Sequence, residues 1–137
     1  MVAEQAPGRT GGNRFPRLLR LCRRAEFRAV FDRGRSRSDG RLIVYALCRD
    51  DGGPTRLGMA VARRYGNAPE RNLLKRRLRE AFRTNAVRLP PSTDLVVLPS
   101  AAADGSGFPA LESSLIRTAG AAAALYRKKG PRPARPR

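Results

Sequence analysis

Apolar residues fall in short runs separated by Gly-, Pro- and Asp-rich breaks, and each run has its own period. Phe27, Val30 and Phe31 recur at helical spacing, predicting a helix over Arg24 to Arg33 that Gly34 closes. The run from Arg41 to Arg49 is apolar on both faces and β-branched or aromatic in its middle, so it predicts a central strand. Asp50 to Pro54 has turn chemistry. A second strand, Arg56 to Ala62, is expected antiparallel to the first across a hairpin-length loop. Its Leu57, Met59 and Val61 point one way, and Gly58, Ala60 and Ala62 leave the other face nearly bare. A bare face admits either a closely packed helix or a ligand, and the pattern does not choose between them.

Asn67, Pro69 and Glu70 form a capping start for a long helix over Ala68 to Asn85. Pro90 and Pro91 break the chain beyond this helix, and Asp94 to Leu98 predicts a short buried strand. Ala101 to Gly107 has loop composition, and a last helix is predicted from Pro109 to about Tyr126, with Leu111, Leu115 and Ala122 inward. The order is αββαβα, an α/β class around a small mixed sheet. The long helix is a crossover between two strands that are then parallel. Residues 1–17, rich in Gly and Pro, predict a flexible N-terminal segment, and 18–126 form the folded domain. Residues 127–137 carry six cations and recurrent prolines, which predicts a solvated basic arm.

Charge narrows the function. The 137 residues hold 29 Lys and Arg against 11 Asp and Glu, a net +18 with no histidine. Absence of His excludes a His-dependent triad, imidazole acid–base catalysis and a Cys/His zinc site. Cys22 and Cys48 are too few for a metal cage and are expected as small core residues in a reducing cytoplasm. No apolar run reaches the ~18 residues of a membrane span. The carboxylates show no paired spacing, and Asp50-Asp51 reads as turn chemistry, so neither a protein catalytic site nor a metal site is expected. Such a basic chain points first to nucleic acid and second to an anionic membrane surface.

The long helix carries the sharpest signal. At about 100° per residue, Leu74, Leu78, Ala81 and Phe82 share an arc of about 100°, a core-facing stripe. Arg71, Asn72, Lys75, Arg76, Arg79 and Arg83 share a neighbouring arc of about 140°. A solvated face usually mixes Glu among its cations, and this set has none, so phosphate binding is the favoured reading. Arg63 and Arg64 sit just before it, at the strand end. A membrane-surface helix needs bulky groups on its apolar face, and here that stripe is used by the core.

The segment Gly66-Asn67-Ala68-Pro69-Glu70-Arg71-Asn72-Leu73-Leu74-Lys75-Arg76-Arg77-Leu78-Arg79-Glu80 resembles the signature helix of the bacterial ribonuclease P protein family. Glu26-Phe27-x-x-Val30-Phe31-x-x-Gly34, Ile43-Val44-Tyr45 and Leu57-Gly58-Met59-Ala60-Val61 are similar to its first helix and strands, in the family's order. Leu73, where the family has a basic residue, and Pro69, where it has an apolar one, depart from the pattern.

The resemblance implies an α/β sandwich with a left-handed βαβ crossover, like the second domain of ribosomal protein S5. It implies a subunit of the ribonucleoprotein endonuclease ribonuclease P, in which RNA and bound magnesium carry the hydrolysis. The implied partners are the catalytic P RNA and the 5′ leader of precursor tRNA, with no membrane and no stable protein partner. The implied P RNA-binding residues are Arg64, Arg71, Asn72, Lys75, Arg76 and Arg79. The implied leader-binding residues are Phe27, Phe31, Ile43, Tyr45 and Ala60, although Phe27 and Phe31 also suit a core. The competing reading is a structural, ribosomal-type RNA-binding protein, which composition fits equally well.

Overall fold

The computed structural model describes residues 16–100 and 107–133. Along them run α1 (Arg24–Arg33), β1 (Arg35–Ser38), β2 (Leu42–Cys48), β3 (Arg56–Met59), α2 (Ala68–Thr84), β4 (Thr93–Pro99) and α3 (Phe108–Lys129). The strands form one sheet in the order β1-β2-β4-β3. β2 is antiparallel to both β1 and β4, and β3 is parallel to β4. α2 therefore crosses between the parallel neighbours β3 and β4.

Alternation along the central strands divides the core between two faces. Leu42, Val44 and Ala46 of β2 and Leu95 and Val97 of β4 pack with Leu74, Leu78, Ala81 and Phe82 of α2 and Leu111, Leu115 and Ala119 of α3. The four α2 residues are the stripe that the helical period predicts. On the opposite face Val96 packs with Leu21 and Val30, flanked by Phe27, Phe31, Tyr45, Leu47 and Leu98. Among the described residues the layers are thus α2 with α3, then the sheet, then α1.

Two expectations about the sheet need correction. The hairpin expected between the strands at 41–49 and 56–62 does not form, because β4 lies between β2 and β3. β4 is buried from Thr93 through Val97, so it takes the centre, where both faces are covered. β3 is only four residues long and occupies an edge. The hairpin that does form joins β1 to β2. Arg35-Ser36-Arg37-Ser38 has no apolar residue, so it gives no strand signal in the sequence; backbone pairing to β2 alone makes it a strand.

The C-terminal arm is also corrected. Arg127, Lys128 and Lys129 continue α3 rather than starting the arm, since the prolines begin only at Pro131. Gly130 and Arg132 then bond back to α1 and β1. The expected N-terminal segment up to residue 15, the loop at 101–106 and residues 134–137 lie outside the described residues. Among the described residues no helix is long and apolar enough to cross a membrane.

The β1–β2 turn is tied to α3 through one carboxylate. Asp39 Oδ1 accepts from the Arg41 and Leu42 N–H groups at 3.0 and 3.1 Å, and Oδ2 accepts from Ser114 Oγ at 2.7 Å and from Arg117. Burial opposes the charge on Asp39, but the bonds from Ser114, the two backbone groups and Arg117 outweigh it and hold the carboxyl far below the usual Asp range. Asp39→Asn keeps the shape and removes the charge. It should destabilise the fold by about 1.5–3 kcal/mol near neutral pH, the range for bonds to a charged group. A lowered folded value makes this contribution complete above the unfolded Asp value of about 3.9 and lost as pH falls toward the folded one. The difference in unfolding free energy between wild type and variant should therefore narrow steadily from about pH 4 to about pH 2. A difference that stays constant over that range contradicts the assignment.

Candidate nucleic-acid interface

The basic face of α2 begins with a rigid start. Asn67 Oδ1 accepts from the Glu70 N–H at 2.9 Å, and Glu70 Oε1 accepts from the Asn67 N–H at 2.8 Å. This reciprocal cap satisfies two donors that the first turn cannot pair. It needs Gly66, because a Cβ there would lie 2.5 Å from Glu70 Oε1. The Gly66 carbonyl in turn accepts from Arg71 Nη1 at 2.7 Å. The glycine, the amide, the acid and the first arginine of the signature are thus one folded unit, and Arg71 is partly committed to it.

Further along, Lys75 and Arg79 are half-buried and Arg76 is exposed, each beside the buried stripe. Among the described residues none of these three has an ion-pair partner. Asn72 and Arg64 are exposed at the same end. Arg83 differs, because Glu80 holds it in an ion pair from one turn back, so the acid-free set loses its last member. Leu73, 38% exposed, stands where the family pattern has a cation.

On the opposite side, α1 packs on the sheet along a seam of half-buried side chains. Across the sheet Ser36, Tyr45, Val96 and Gly58 occupy one row, and Ser38, Ile43 and Leu98 occupy the next. Ala60, just past β3, donates its N–H to the Val97 carbonyl at 3.0 Å. The Phe31 ring meets Tyr45 edge-on, with centroids 5.0 Å apart and planes at 78°. Phe27 lies over Gly58, so closely that a Cβ there would sit 2.8 Å from the ring. At Gly58, then, the bare face is used for helix packing. Phe27, Phe31, Ile43, Tyr45 and Ala60 are all half-buried. The two phenylalanines pack against Val30 and Val96 and still offer part of each ring to solvent.

The seat of α1 is set by charge. Glu26 Oε1 accepts from the Cys22 and Arg23 N–H groups, and Oε2 accepts from Arg56 Nη1 at 3.0 Å. The Arg23 N–H leads in holding the Glu26 carboxyl below its usual value, against burial, with Cys22 and Arg56 assisting. Arg56 also grips Asp94 of β4 in bidentate fashion, at 2.9 and 2.8 Å.

At the β3 edge the two surfaces meet. A pocket of about 200 Å³ is lined by Arg20, Cys22, Phe27, Gly58, Lys75 and Arg79, among others. The sequence pattern puts Phe27 on one surface and Lys75 and Arg79 on the other, and here they share a wall. Sequence reasoning missed Arg20 and Cys22, because they reach this edge through the Leu21 N–H bond to the Leu57 carbonyl, a contact with no local signature. Cys22 is exposed rather than a core residue, while Cys48 packs against the core as expected. Val96 is fully buried beneath α1 and Leu98 packs half-buried beside it, on the same face of β4.

A family profile described as Ribonuclease P matches residues 15–123. The chain belongs to the bacterial ribonuclease P protein family. The ribonuclease P protein component of Gluconacetobacter diazotrophicus is 43% identical over 103 residues, 74% of this chain and 89% of that protein. That of Shouchella clausii is 36% identical over 115 residues, 80% of this chain and 94% of its own. Among solved structures, the RNase P protein of Thermotoga maritima shares 31% identity at a TM-score of 0.66, covering 72% of this chain and 92% of its own. The RNase P protein of Staphylococcus aureus shares 25% at a TM-score of 0.67, covering 81% and 95%. As a ribonuclease P protein, the chain is an RNA-binding subunit of a ribonucleoprotein endonuclease of tRNA processing. Among the described residues no three His, Cys, Asp or Glu side chains gather to hold a metal ion.

The crowding at Gly58 gives a direct check. Gly58→Ala should destabilise the protein by about 1–3 kcal/mol through overpacking against the Phe27 ring. In a Phe27→Ala background the same change should cost at least ~0.5 kcal/mol less, a coupling that denaturant melts of the four-protein cycle can resolve. Additive costs would show that the ring does not occupy that space.

Proposed function

We propose that this protein binds the catalytic P RNA through the α2 face and the single-stranded 5′ leader of precursor tRNA through the cleft between α1 and the sheet. The observation that carries this reading is that Lys75, Arg76 and Arg79 have no ion-pair partner among the described residues and that Lys75 and Arg79 line a pocket with Phe27. Arg guanidinium groups make bidentate contacts to phosphate, and unpartnered cations on one helix face gain most from a polyanion. Arg64, Arg71 and Asn72 extend that face toward the helix start. In the cleft, the rings of Phe27, Phe31 and Tyr45, with Ile43 of β2 and Ala60 just past β3, suit unstacked bases without reading their sequence.

In this reading the bond-breaking chemistry does not come from the protein's side chains. The protein's part is to hold leader and catalytic RNA together, neutralising phosphates so that the two polyanions approach at lower salt cost. Hydrolysis belongs to the RNA, with magnesium bound by the RNA–substrate complex. The proposed setting is the cytoplasm.

Reconstitution with its own P RNA at low magnesium should give leader removal, and RNA-free protein should give none. Cleavage by rigorously RNA-free protein would refute the division of labour. Arg76→Ala should weaken P RNA binding by about 1–3 kcal/mol and make the dependence of log affinity on log salt shallower by about one contact. Unchanged affinity and slope would return this face to solvent.

Tyr45→Ala tests the cleft separately. The holoenzyme should lose about 1–3 kcal/mol of affinity for precursor tRNA, as expected for one stacked base, and keep its affinity for mature tRNA and its P RNA assembly. Equal losses for both tRNA forms, in a variant with an unchanged circular dichroism spectrum, would reject the cleft as the leader site.

A further inference from the structure

The chain after α3 turns back onto the end of α1. The Gly130 carbonyl accepts from Arg35 Nε at 2.9 Å. The Arg132 N–H donates to the Arg33 carbonyl at 2.8 Å, and Arg33 Nε donates to the Arg132 carbonyl at 2.7 Å. The Arg132 guanidinium reaches further, with Nη2 donating to the Phe31 carbonyl at 2.9 Å. A helix leaves its last carbonyls unpaired. Two of those at the end of α1, Phe31 and Arg33, are thus satisfied by Arg132, 101 and 99 residues away in sequence. The cation also complements the negative end of the helix dipole.

This matters for the cleft because of what α1 is. It has ten residues, short of the length at which a helix holds without tertiary support. Its start is fixed by Glu26 and Arg56. Its last turn carries Phe31, whose ring sets one wall of the cleft against Tyr45. The family match ends at residue 123, so the segment that holds this last turn lies outside it.

We propose that residues 130–133 form a strap that positions Phe31 for leader binding, with Arg132 as the positioning residue. The proposal rests on the leader reading of the cleft. Arg132 acts through the α1 backbone and not as one more cation of a basic tail. That distinction is testable, because Arg135 and Arg137 carry further tail charge at other positions of the sequence.

The experiment uses reconstituted holoenzyme and compares affinities for precursor and mature tRNA. Arg132→Ala should lower precursor affinity about three- to tenfold, the effect of losing about one hydrogen bond, and leave mature tRNA affinity and P RNA assembly unchanged. Amide exchange at Asp32, Arg33 and Gly34 should quicken while that of α2 and α3 stays the same. The double variant Arg135→Ala/Arg137→Ala, which removes more charge, should have a smaller effect on precursor affinity. In a Phe31→Leu background, which keeps an apolar group in the core, Arg132→Ala should cost nothing further. An Arg132→Ala loss that persists in that background, or is matched by the tail-charge variant, would overturn the strap. Precursor preference retained in full by Arg132→Ala would overturn the strap alone. A wild-type holoenzyme with no preference for the leader would overturn the cleft reading and the strap with it.

Discussion

Asp94 is a carboxylate at the start of the central strand with only 4% of its surface exposed, and the arrangement of the molecule depends on how it is satisfied. A buried charge is tolerated only where charge and hydrogen bonds replace water. Arg56 supplies both with its fork, and Arg49 adds a second cation. Because the remaining arm of Arg56 reaches Glu26, the need of one strand fixes the seat of α1 on the far face of the sheet. Removing Arg56 would leave Asp94 with one partner and Glu26 with only its capping bonds. Sheet edge, central strand and α1 therefore share a single electrostatic joint.

Among the described residues the acids are mostly occupied in such joints. Glu26 and Asp94 hold α1 to the sheet, Asp39 holds the first hairpin to α3, and Glu70 caps α2. Glu112 accepts from Asn85 at the end of α2, and Asp51 braces Arg49. What remains on the surface is cationic in excess, and on α2 it is concentrated beside the cleft. Negative charge organises the fold, and positive charge is left to face a polyanion.

Legibility in the sequence followed the range of the interactions. α1 and the α2 stripe were readable because helical periodicity is local, and so was the Asn67–Glu70 cap. The place of β3 was not, since nothing in Arg56 to Met59 says that a strand some 35 residues later will lie between it and β2. β1 was invisible because its pairing is carried by backbone groups while its side chains are all polar. At the site, the α2 cations were legible as a face, and Tyr45 and Ile43 as one side of a strand. Arg20, the Phe27–Gly58 contact and the return of Arg132 to α1 were not, because each joins segments distant in sequence.

β1 also bears on how copies of the chain treat one another. It is an outer strand with no strand among the described residues paired to its free side, the kind of margin on which a second chain can add itself. Its side chains alternate arginine and serine, so two such margins meet with like charges, on molecules that already repel through a net +18. That guard is ionic and works only within about a Debye length, roughly 10 Å at 0.1 M salt. Colloidal behaviour of the RNA-free protein is thus tied to ionic strength, and salt that loosens it from RNA also lowers the barrier between its own edges.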